Sequence, residues 1–133
     1  MSITYDEFKK VEIRSGKILS AEKVPNTDKL LKLSVDFGEK VEVVNGTDLP
    51  ADLPTDIPKV FKSAPRVIVS GIALRFPDPA VLVGKTCMFV ANLEPRRIKG
   101  LESNGMLFAV STPEGGFSLL EPNDTIPPGT LAI

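Results

Sequence analysis

Prolines and glycines are spread along the whole chain, and they restrict its fold more than any other feature of the sequence. There are twelve prolines and ten glycines among 133 residues. Both residue types interrupt helices, so the chain favours strands, turns and loops over long helices. Between these interruptions, residues 31–37 alternate apolar and polar side chains, as a half-buried strand does. The sequence therefore predicts a small domain built mainly from strands.

Alternation and turn signals together predict the order of the elements. Residues 4–10 contain a Thr-x-x-Glu capping box and predict one short helical turn, and Asp78-Pro79 opens a short helix that reaches about residue 83. The predicted strands are residues 11–24, 31–37, 67–72, 86–93 and 106–110, with residues 41–44 continuing or pairing with the second and residues 117–120 forming a short late strand. These elements fit an all-β, five-stranded barrel of the oligonucleotide-binding (OB) type, with a C-terminal extension.

Gly16 interrupts the alternation of the first predicted strand. Ile13 lies on one face, whereas Ile18 takes up the apolar pattern on the opposite parity. One extra residue in a strand has this effect, so we interpret Gly16 as a β-bulge. The bulge would keep Arg14 and Lys17 on the same outward face, which would then be cationic.

The residue types that most enzyme and metal chemistry requires are scarce. The chain has no histidine, one cysteine and no tryptophan. Without histidine, the commonest general base and metal ligand are missing, and a single cysteine excludes an internal disulfide or a thiolate zinc site. Cys87 lies in the apolar run TCMFVA and is predicted to be a buried core thiol. We therefore expect a binding protein and not an enzyme, with no cofactor and no metal.

A proline repeat occupies residues 48–59, which read DLPA, DLPT and DIPK. A proline at every fourth position suits neither a strand interior nor a helix, so the segment is predicted to be an extended or turn-rich surface excursion. We interpret it as a tolerated loop insertion. A partner-binding loop is the alternative, and its evenly spaced aspartates are a weaker candidate for a divalent cation site.

Charge is distributed unevenly along the chain, although its total is close to zero. There are 16 basic and 17 acidic residues, but residues 9–32 carry seven basic and three acidic side chains. Residues 94–102 add three cations against two acids, whereas residues 36–65 hold six acids and three lysines. If the two basic segments meet on one face, that face attracts anions. The alternative is that both are ordinary solvated faces.

Residues 92–106 concentrate the side chains that suit RNA. The stretch reads NLEPRRIKGLESNGM, and its Pro95 and Gly100 exclude regular structure throughout. It holds three cations, two amide side chains and one hydroxyl. Arginine forks bind phosphates or base edges, and amides and hydroxyls pair with bases and sugars. This chemistry is typical of proteins that bind single-stranded or looped RNA.

Motifs in these segments resemble one family. Residues 8–18 (FKKVEIRSGKI), 21–38, 69–72 (VSGI), 82–85 (LVGK), 90–107 and 126–130 (IPPGT) occur in the order found in the tRNA-binding domain of bacterial methionyl-tRNA synthetases. The same domain is present in the phenylalanyl-tRNA synthetase β subunit, in cytokine-like synthetase-associated factors and in free-standing tRNA-binding proteins. The Asn-Leu-x-Pro-basic and Ser-x-Gly-Met elements together are a specific signal of this family.

The resemblance implies an OB-fold that binds tRNA by shape and backbone without selecting an amino-acid identity. Free-standing members are usually homodimers whose C-terminal extension helps to form the interface, and an aminoacyl-tRNA synthetase is a possible partner. By position, the resemblance implies three groups of RNA-binding residues: Arg14, Lys17, Lys29 and Lys32 on or beside the barrel's binding face; Asn92, Arg96, Arg97 and Lys99 in the loop before the last main strand; and Ser103, Asn104 and Met106. The family usually has Gln where Asn104 stands, and it lacks the insertion found here near residues 41–65.

Two further functions remain open at this point. A related dimeric chaperone associated with protein export resembles the family in fold and binds peptides, but the Ser103-Asn104-Gly105-Met106 element favours RNA. An enzyme is the least favoured reading. The N-terminus has no secretory signal, and the longest apolar run is too short to span a bilayer, so we expect a cytoplasmic protein without a membrane segment. We also expect residues 1–133 to be one complete, free-standing domain.

Overall fold

The computed structural model describes residues 1–43 and 60–133. Within them the architecture is all-β, with one α-helix, α1 (Tyr5–Phe8), and two 3-10 helices, Ala73–Arg75 and Pro79–Leu82. The strands are β1 (Ile13–Lys23), β2 (Leu31–Asp36), β3 (Lys40–Val43), β4 (Val60–Ser63), β5 (Arg66–Ser70), β6 (Thr86–Val90), β7 (Arg96–Ile98), β8 (Leu101–Ser103), β9 (Met106–Leu107), β10 (Ala109–Ser111) and β11 (Phe117–Leu119). None of the helices in these two ranges is long and apolar enough to cross a membrane.

Five strands form one antiparallel sheet in the order β5-β2-β1-β6-β9. The two edges of this sheet approach each other, because the N–H of Asn104 donates to the carbonyl of Val67 at 2.9 Å. The N–H of Val69 also donates to Ser103 Oγ at 3.0 Å. The result is a nearly closed five-stranded barrel, which confirms the predicted OB type.

The barrel interior is filled by the inward residues of the strands. In β2 the burial alternates, so that Leu31, Leu33 and Val35 are fully buried while the intervening residues are partly exposed. Phe37 and Phe89 meet edge to face inside the barrel with ring centroids 5.3 Å apart. The alternation therefore identified the buried face of β2 correctly.

The predicted bulge at Gly16 is wrong. Gly16 lies within five consecutive regular pairs between β1 and β6, and the register shift occurs instead between Ile18 and Ser20, against β2. Glycine is needed at position 16 because of close packing. A Cβ there would lie 2.6 Å from Val35 Cγ1 and 2.9 Å from Phe37 Cε1. The break in the apolar alternation at position 16 therefore comes from a glycine that faces the core, and not from an extra residue in the strand.

The unbroken register also separates two residues that were expected to share a face. Successive side chains of a strand alternate between its faces, so Arg14 and Lys17 point in opposite directions. Arg14 pairs with the fully buried Phe89, whereas Lys17 is exposed. The predicted cationic outer face of β1, with Arg14 and Lys17 together, is therefore wrong.

Both predicted helix starts are confirmed. Thr4 and Glu7 form a reciprocal capping box, although α1 ends at Phe8 instead of residue 10. Asp78 accepts a hydrogen bond from the N–H of Ala80, but the helix that it caps is a single 3-10 segment. A second 3-10 helix, Ala73–Arg75, was not predicted, because it has no side-chain cap.

The C-terminal extension covers the part of β1 that β2 leaves unpaired. Pairing with β2 begins only at Lys17, and the extension hydrogen-bonds to Ser15 and Ile13 instead. Ser15 N–H donates to Thr130 O at 2.9 Å, and Ala132 N–H donates to Ile13 O at 2.7 Å. The extension thus protects an otherwise open strand edge.

β3 and β4 form a separate two-stranded hairpin, here called the β3–β4 arm (residues 40–43 and 60–63). The expectation that residues 41–44 extend or pair with the second strand is therefore wrong for residues 41–43, whose partner is β4. At the base of the arm, the N–H of Ala64 donates to Glu39 O at 2.9 Å. The proline repeat at residues 48–59, with its readings as a loop, partner site or cation site, lies outside the described residues.

Candidate nucleic-acid interface

The segment that the sequence identified as rich in RNA-binding side chains forms a hairpin, the β7–β8 hairpin (residues 96–103). Its turn is Lys99-Gly100, and both residues have positive φ angles, 49° and 82°. This combination is typical of a type I′ turn, whose twist matches that of paired strands. Arg96, Arg97 and Lys99 are exposed. In the described residues, no carboxylate forms an ion pair with any of these three cations.

The root of this hairpin is fixed by Ser103. Its side chain is buried, with 3% of its surface exposed. Its Oγ accepts the N–H of Val69 and donates to the carbonyl of Gly105 at 3.1 Å. Both functions of the hydroxyl are therefore used inside the protein, and they join the hairpin to β5.

Asn92, at the other end of the same connection, has a similar internal role. Its Oδ1 accepts the N–H of Glu12 at 2.8 Å, and its Nδ2 donates to the carbonyl of Lys10. The side chain thereby fastens the link between α1 and β1 to the end of β6. Its predicted contact with RNA stays a prediction, since the geometry shows only the protein contacts.

Arg14 also binds protein groups. Its Nη1 donates to the carbonyl of Gly129 at 3.0 Å, and its Nε and Nη2 donate to Glu12 Oε1 at 3.0 and 2.7 Å. The side chain therefore joins β1 to the C-terminal extension. As for Asn92 and Ser103, a role in RNA binding stays a prediction for this residue.

The predicted lysines divide into two groups. Lys32 lies directly opposite Val69, the residue that is hydrogen-bonded to Ser103, so it is beside the hairpin root. Lys32 is also 3.7 Å from Glu22, an exposed ion pair that costs little to break. Lys29 is exposed in the turn before β2.

Lys17 lies at the far end of β2 from Lys32. It pairs with Asp36, four residues along the strand from Lys32, which corresponds to about 13 Å at the usual rise per residue. The structure therefore brings Lys32 near the hairpin but leaves Lys17 on a different part of the barrel.

Asn104 and Met106 complete the hairpin side of the barrel. Asn104 is partly buried directly after β8, and Met106 is 46% exposed where β9 pairs with β6. An exposed methionine gives an unstacked base an apolar surface to contact. Arg96, Arg97 and Lys99 thus belong to one hairpin, Asn104 and Met106 follow it directly in the chain, and Lys32 lies opposite the residue that is hydrogen-bonded to Ser103.

Sequence reasoning missed Arg66. Its Nε and Nη2 donate to the two carboxylate oxygens of Glu39 at 2.7 and 2.8 Å, and its guanidinium lies 5.0 Å from the Phe37 ring centroid. The hydrogen bond from Arg66 holds the pKa of the Glu39 carboxyl below its usual value, and the same bond raises the pKa of Arg66. The only sequence signal was an arginine at the first residue of a core strand.

Arg75 was also missed. It is exposed, donates from Nη1 to the carbonyl of Gly115 at 2.8 Å, and lies 5.3 Å from the Phe117 ring centroid. It is two residues from Ala73, whose N–H donates to the carbonyl of Lys29. Lys29 and Arg75 are therefore both exposed cations near the start of β2.

Cys87 is buried, as predicted, with none of its surface exposed. Burial raises the pKa of its thiol to about 11, so the reactive thiolate is absent near neutral pH. Within residues 1–43 and 60–133, no three carboxylates or thiols come together as a metal site would require.

Comparisons with known proteins agree with the resemblance seen in the sequence. A family model described as "Putative tRNA binding domain" matches residues 59–131, more than half of the chain. The methionine–tRNA ligase of Methanospirillum hungatei is 42% identical over 128 residues, which are 96% of this chain and 15% of the ligase. The chain therefore spans only a small part of the curated relatives that it matches.

Solved structures show the same likeness at full length. A MetRS related protein from Pyrococcus horikoshii superposes with a TM-score of 0.77 at 33% identity, covering 100% of this chain and 99% of that one. The chaperone CsaA from Bacillus anthracis superposes with a TM-score of 0.71 at 23% identity, covering 100% of both chains, which shows the shared fold alone.

Proposed function

The chain belongs to the tRNA-binding domain family, and from this membership we propose that it binds tRNA through the exposed cations of the β7–β8 hairpin. The main support for the proposal is the exposure of three cations, Arg96, Arg97 and Lys99. These cations are exposed, and among the described residues none of them has an ion-pair partner that an RNA phosphate would have to displace.

The proposed mode of recognition is by shape and backbone. Cations bind phosphates without regard to sequence, while Met106 and Asn104 offer an apolar contact and an amide to one unstacked base. Lys32 and Lys29 extend the cationic surface along β2. Such an interface suits many tRNAs and selects no amino-acid identity.

We propose that the role is not catalytic. The chain has no histidine, and the thiol of its one cysteine is buried and protonated near neutral pH. The domain would instead increase the tRNA affinity of a protein that acts on tRNA, and the likeness to methionine–tRNA ligases favours such a synthetase as partner. A cytoplasmic location belongs to the same proposal.

A homodimer is the second part of the proposal. Tyr5, Phe8 and Val11 expose apolar surface next to the exposed Leu131 and Ile133 of the C-terminal extension. An apolar patch of this kind is typical of an interface. Phe8→Asp would place a charge in that interface, and we expect a monomer in sedimentation velocity; a dimer that persists would contradict the assignment.

The decisive measurement for RNA is a titration of unfractionated tRNA at several salt concentrations. Arg96→Ala/Arg97→Ala/Lys99→Ala is expected to weaken binding about 10–100-fold and to reduce the slope of log K against log salt by about 2–3. The control is Lys10→Ala/Lys23→Ala/Lys62→Ala, which removes equal charge at exposed positions outside the hairpin.

Two outcomes would contradict the proposal. Equal losses in both triple variants would mean that only net charge matters, and no saturable tRNA binding at low salt would exclude the function. In the second case, binding of an unfolded peptide would favour the chaperone alternative.

A further inference from the structure

Arg66 contacts three separate parts of the molecule with one guanidinium. Its Nε and Nη2 bind the Glu39 carboxylate, as described above. Its Nη1 donates to the carbonyl of Ala91 and, at 3.3 Å, to the carbonyl of Asn104. Its side chain is 27% exposed and lies over the face of Phe37.

The acceptors of Arg66 belong to two different segments of the chain. Ala91 and Asn104 flank residues 92–103, the connection that contains the β7–β8 hairpin. Glu39 immediately precedes β3, the first strand of the β3–β4 arm. Arg66 therefore holds both ends of the hairpin connection together and ties them to the base of the arm.

Only arginine has the geometry to make this set of contacts. Its planar fork presents two edges, and here one edge is occupied by a carboxylate and the other by two backbone carbonyls. A lysine could retain the charge, but it could not bind the carboxylate in a bidentate manner while also donating to both carbonyls.

We propose that Arg66 is a positioning residue for tRNA binding: it orients the β7–β8 hairpin and, through Glu39, couples that orientation to the β3–β4 arm. This inference rests on the proposed function, because it concerns the same hairpin. Arg66 acts through the hairpin and not by contact with RNA, since both edges of its guanidinium are already occupied.

The salt dependence of binding separates a positioning role from a direct one. Each lost phosphate contact reduces the slope of log K against log salt by about 0.7–0.9. For Arg66→Lys we expect tRNA affinity to fall about tenfold at every salt concentration, with the slope unchanged. A slope reduced by one contact would overturn the inference in favour of direct phosphate binding.

Hydrogen exchange tests the same variant without RNA. In Arg66→Lys, the backbone amides of residues 92–104 are expected to exchange faster, while those of β1 and β2 keep their protection. Uniformly faster exchange with unchanged tRNA affinity would mean that Arg66 only stabilises the barrel, which would overturn the inference.

Glu39→Gln is a milder variant whose folding is less at risk, because Glu39 is 44% exposed. Glu42→Gln on the exposed face of the same arm is its matched control. Removing an acid generally favours RNA binding, so both variants would bind more tightly if charge alone mattered. Positioning predicts the opposite for Glu39→Gln, a several-fold loss of affinity that Glu42→Gln does not show.

The titration of the wild-type protein distinguishes failure of the proposed function from failure of the positioning role. If the wild type does not bind tRNA, the proposed function fails and this inference fails with it. If the wild type binds and both Arg66→Lys and Glu39→Gln bind equally well, only the positioning role is overturned.

Discussion

The exposed cations of the β7–β8 hairpin and the polar residues at its root use their side chains in opposite ways. Arg96, Arg97 and Lys99 are exposed, and in the described part of the chain they have no ion-pair partners. At the root, Ser103 and Asn92 use their hydrogen-bonding groups within the protein. The root residues hold the connection in place, and the cations remain available for a ligand.

The same contrast holds between two arginines. Arg14 donates to Glu12 and to the carbonyl of Gly129, whereas Arg97 has Glu102 as its neighbour across the hairpin but forms no ion pair with it. An arginine whose donors are satisfied inside the protein would lose those bonds if it turned to a phosphate, so its net gain from RNA is small. Position in the fold, and not residue type, therefore separates the arginine that supports the fold from the arginine that we propose to bind RNA.

The largest predicted effect is a loss of folding stability at alkaline pH, caused by the fully buried thiol of Cys87. Burial raises the pKa of its thiol from the usual 9.0 to about 11. Between these values the unfolded chain ionises its thiol and the folded protein does not, so stability falls as pH rises through this range. The expected loss is about 2–3 kcal/mol by pH 11.

Urea denaturation of the wild type and Cys87→Ala between pH 8 and pH 11 measures this effect. The wild type should lose more stability than the variant over this range, because other groups that titrate there are common to both. If the unfolding free energies of the wild type and the variant fell in parallel with pH, burial would not raise the pKa of the Cys87 thiol.

The next largest effect is expected at the hairpin root. Ser103→Ala leaves the buried N–H of Val69 without its acceptor and should lower the free energy of unfolding by about 2 kcal/mol. Ser111→Ala, at an exposed serine, is the control and should change it by less than about 0.5 kcal/mol. Denaturant midpoints of the two variants provide the measurement, and equal midpoints would remove the distinction between root and surface.

Arg14→Ala should destabilise the protein by about 1–2 kcal/mol, because it removes the bonds to Gly129 and Glu12. The salt slope of tRNA binding should not change. Faster hydrogen exchange at Thr130 and Ala132 would locate the damage in the C-terminal extension. A reduced salt slope would instead make Arg14 a phosphate ligand, as the sequence resemblance implied.

Arg97→Ala is expected to have the smallest effect on stability, within about 0.5 kcal/mol of the wild type. Its effect should appear in RNA binding, where the salt slope falls by about 0.7–0.9. Arg14→Ala and Arg97→Ala thus form a matched pair with opposite expectations. Similar behaviour of the two variants in both measurements would contradict the contrast between an internally bonded and an exposed arginine.

Much of the fold could be predicted because local chemistry specifies it. The alternation in residues 31–37 identified β2 and its buried face, and Thr4 with Glu7 identified the start of α1. The bulge could not be located in the same way. Gly16 breaks the apolar pattern because Val35, Phe37 and Phe89 leave no room for a Cβ, and those three residues are distant in sequence.

The candidate site divides along the same line. Composition and spacing alone establish that residues 92–106 hold cations, amides and a hydroxyl, and that the chain has no histidine. Which polar groups are satisfied internally depends on the tertiary fold, because Arg14, Asn92 and Ser103 each bond to a partner that lies 115, 80 and 34 residues away, respectively. Hydrogen bonds over such separations depend on how the barrel closes, which no local pattern encodes.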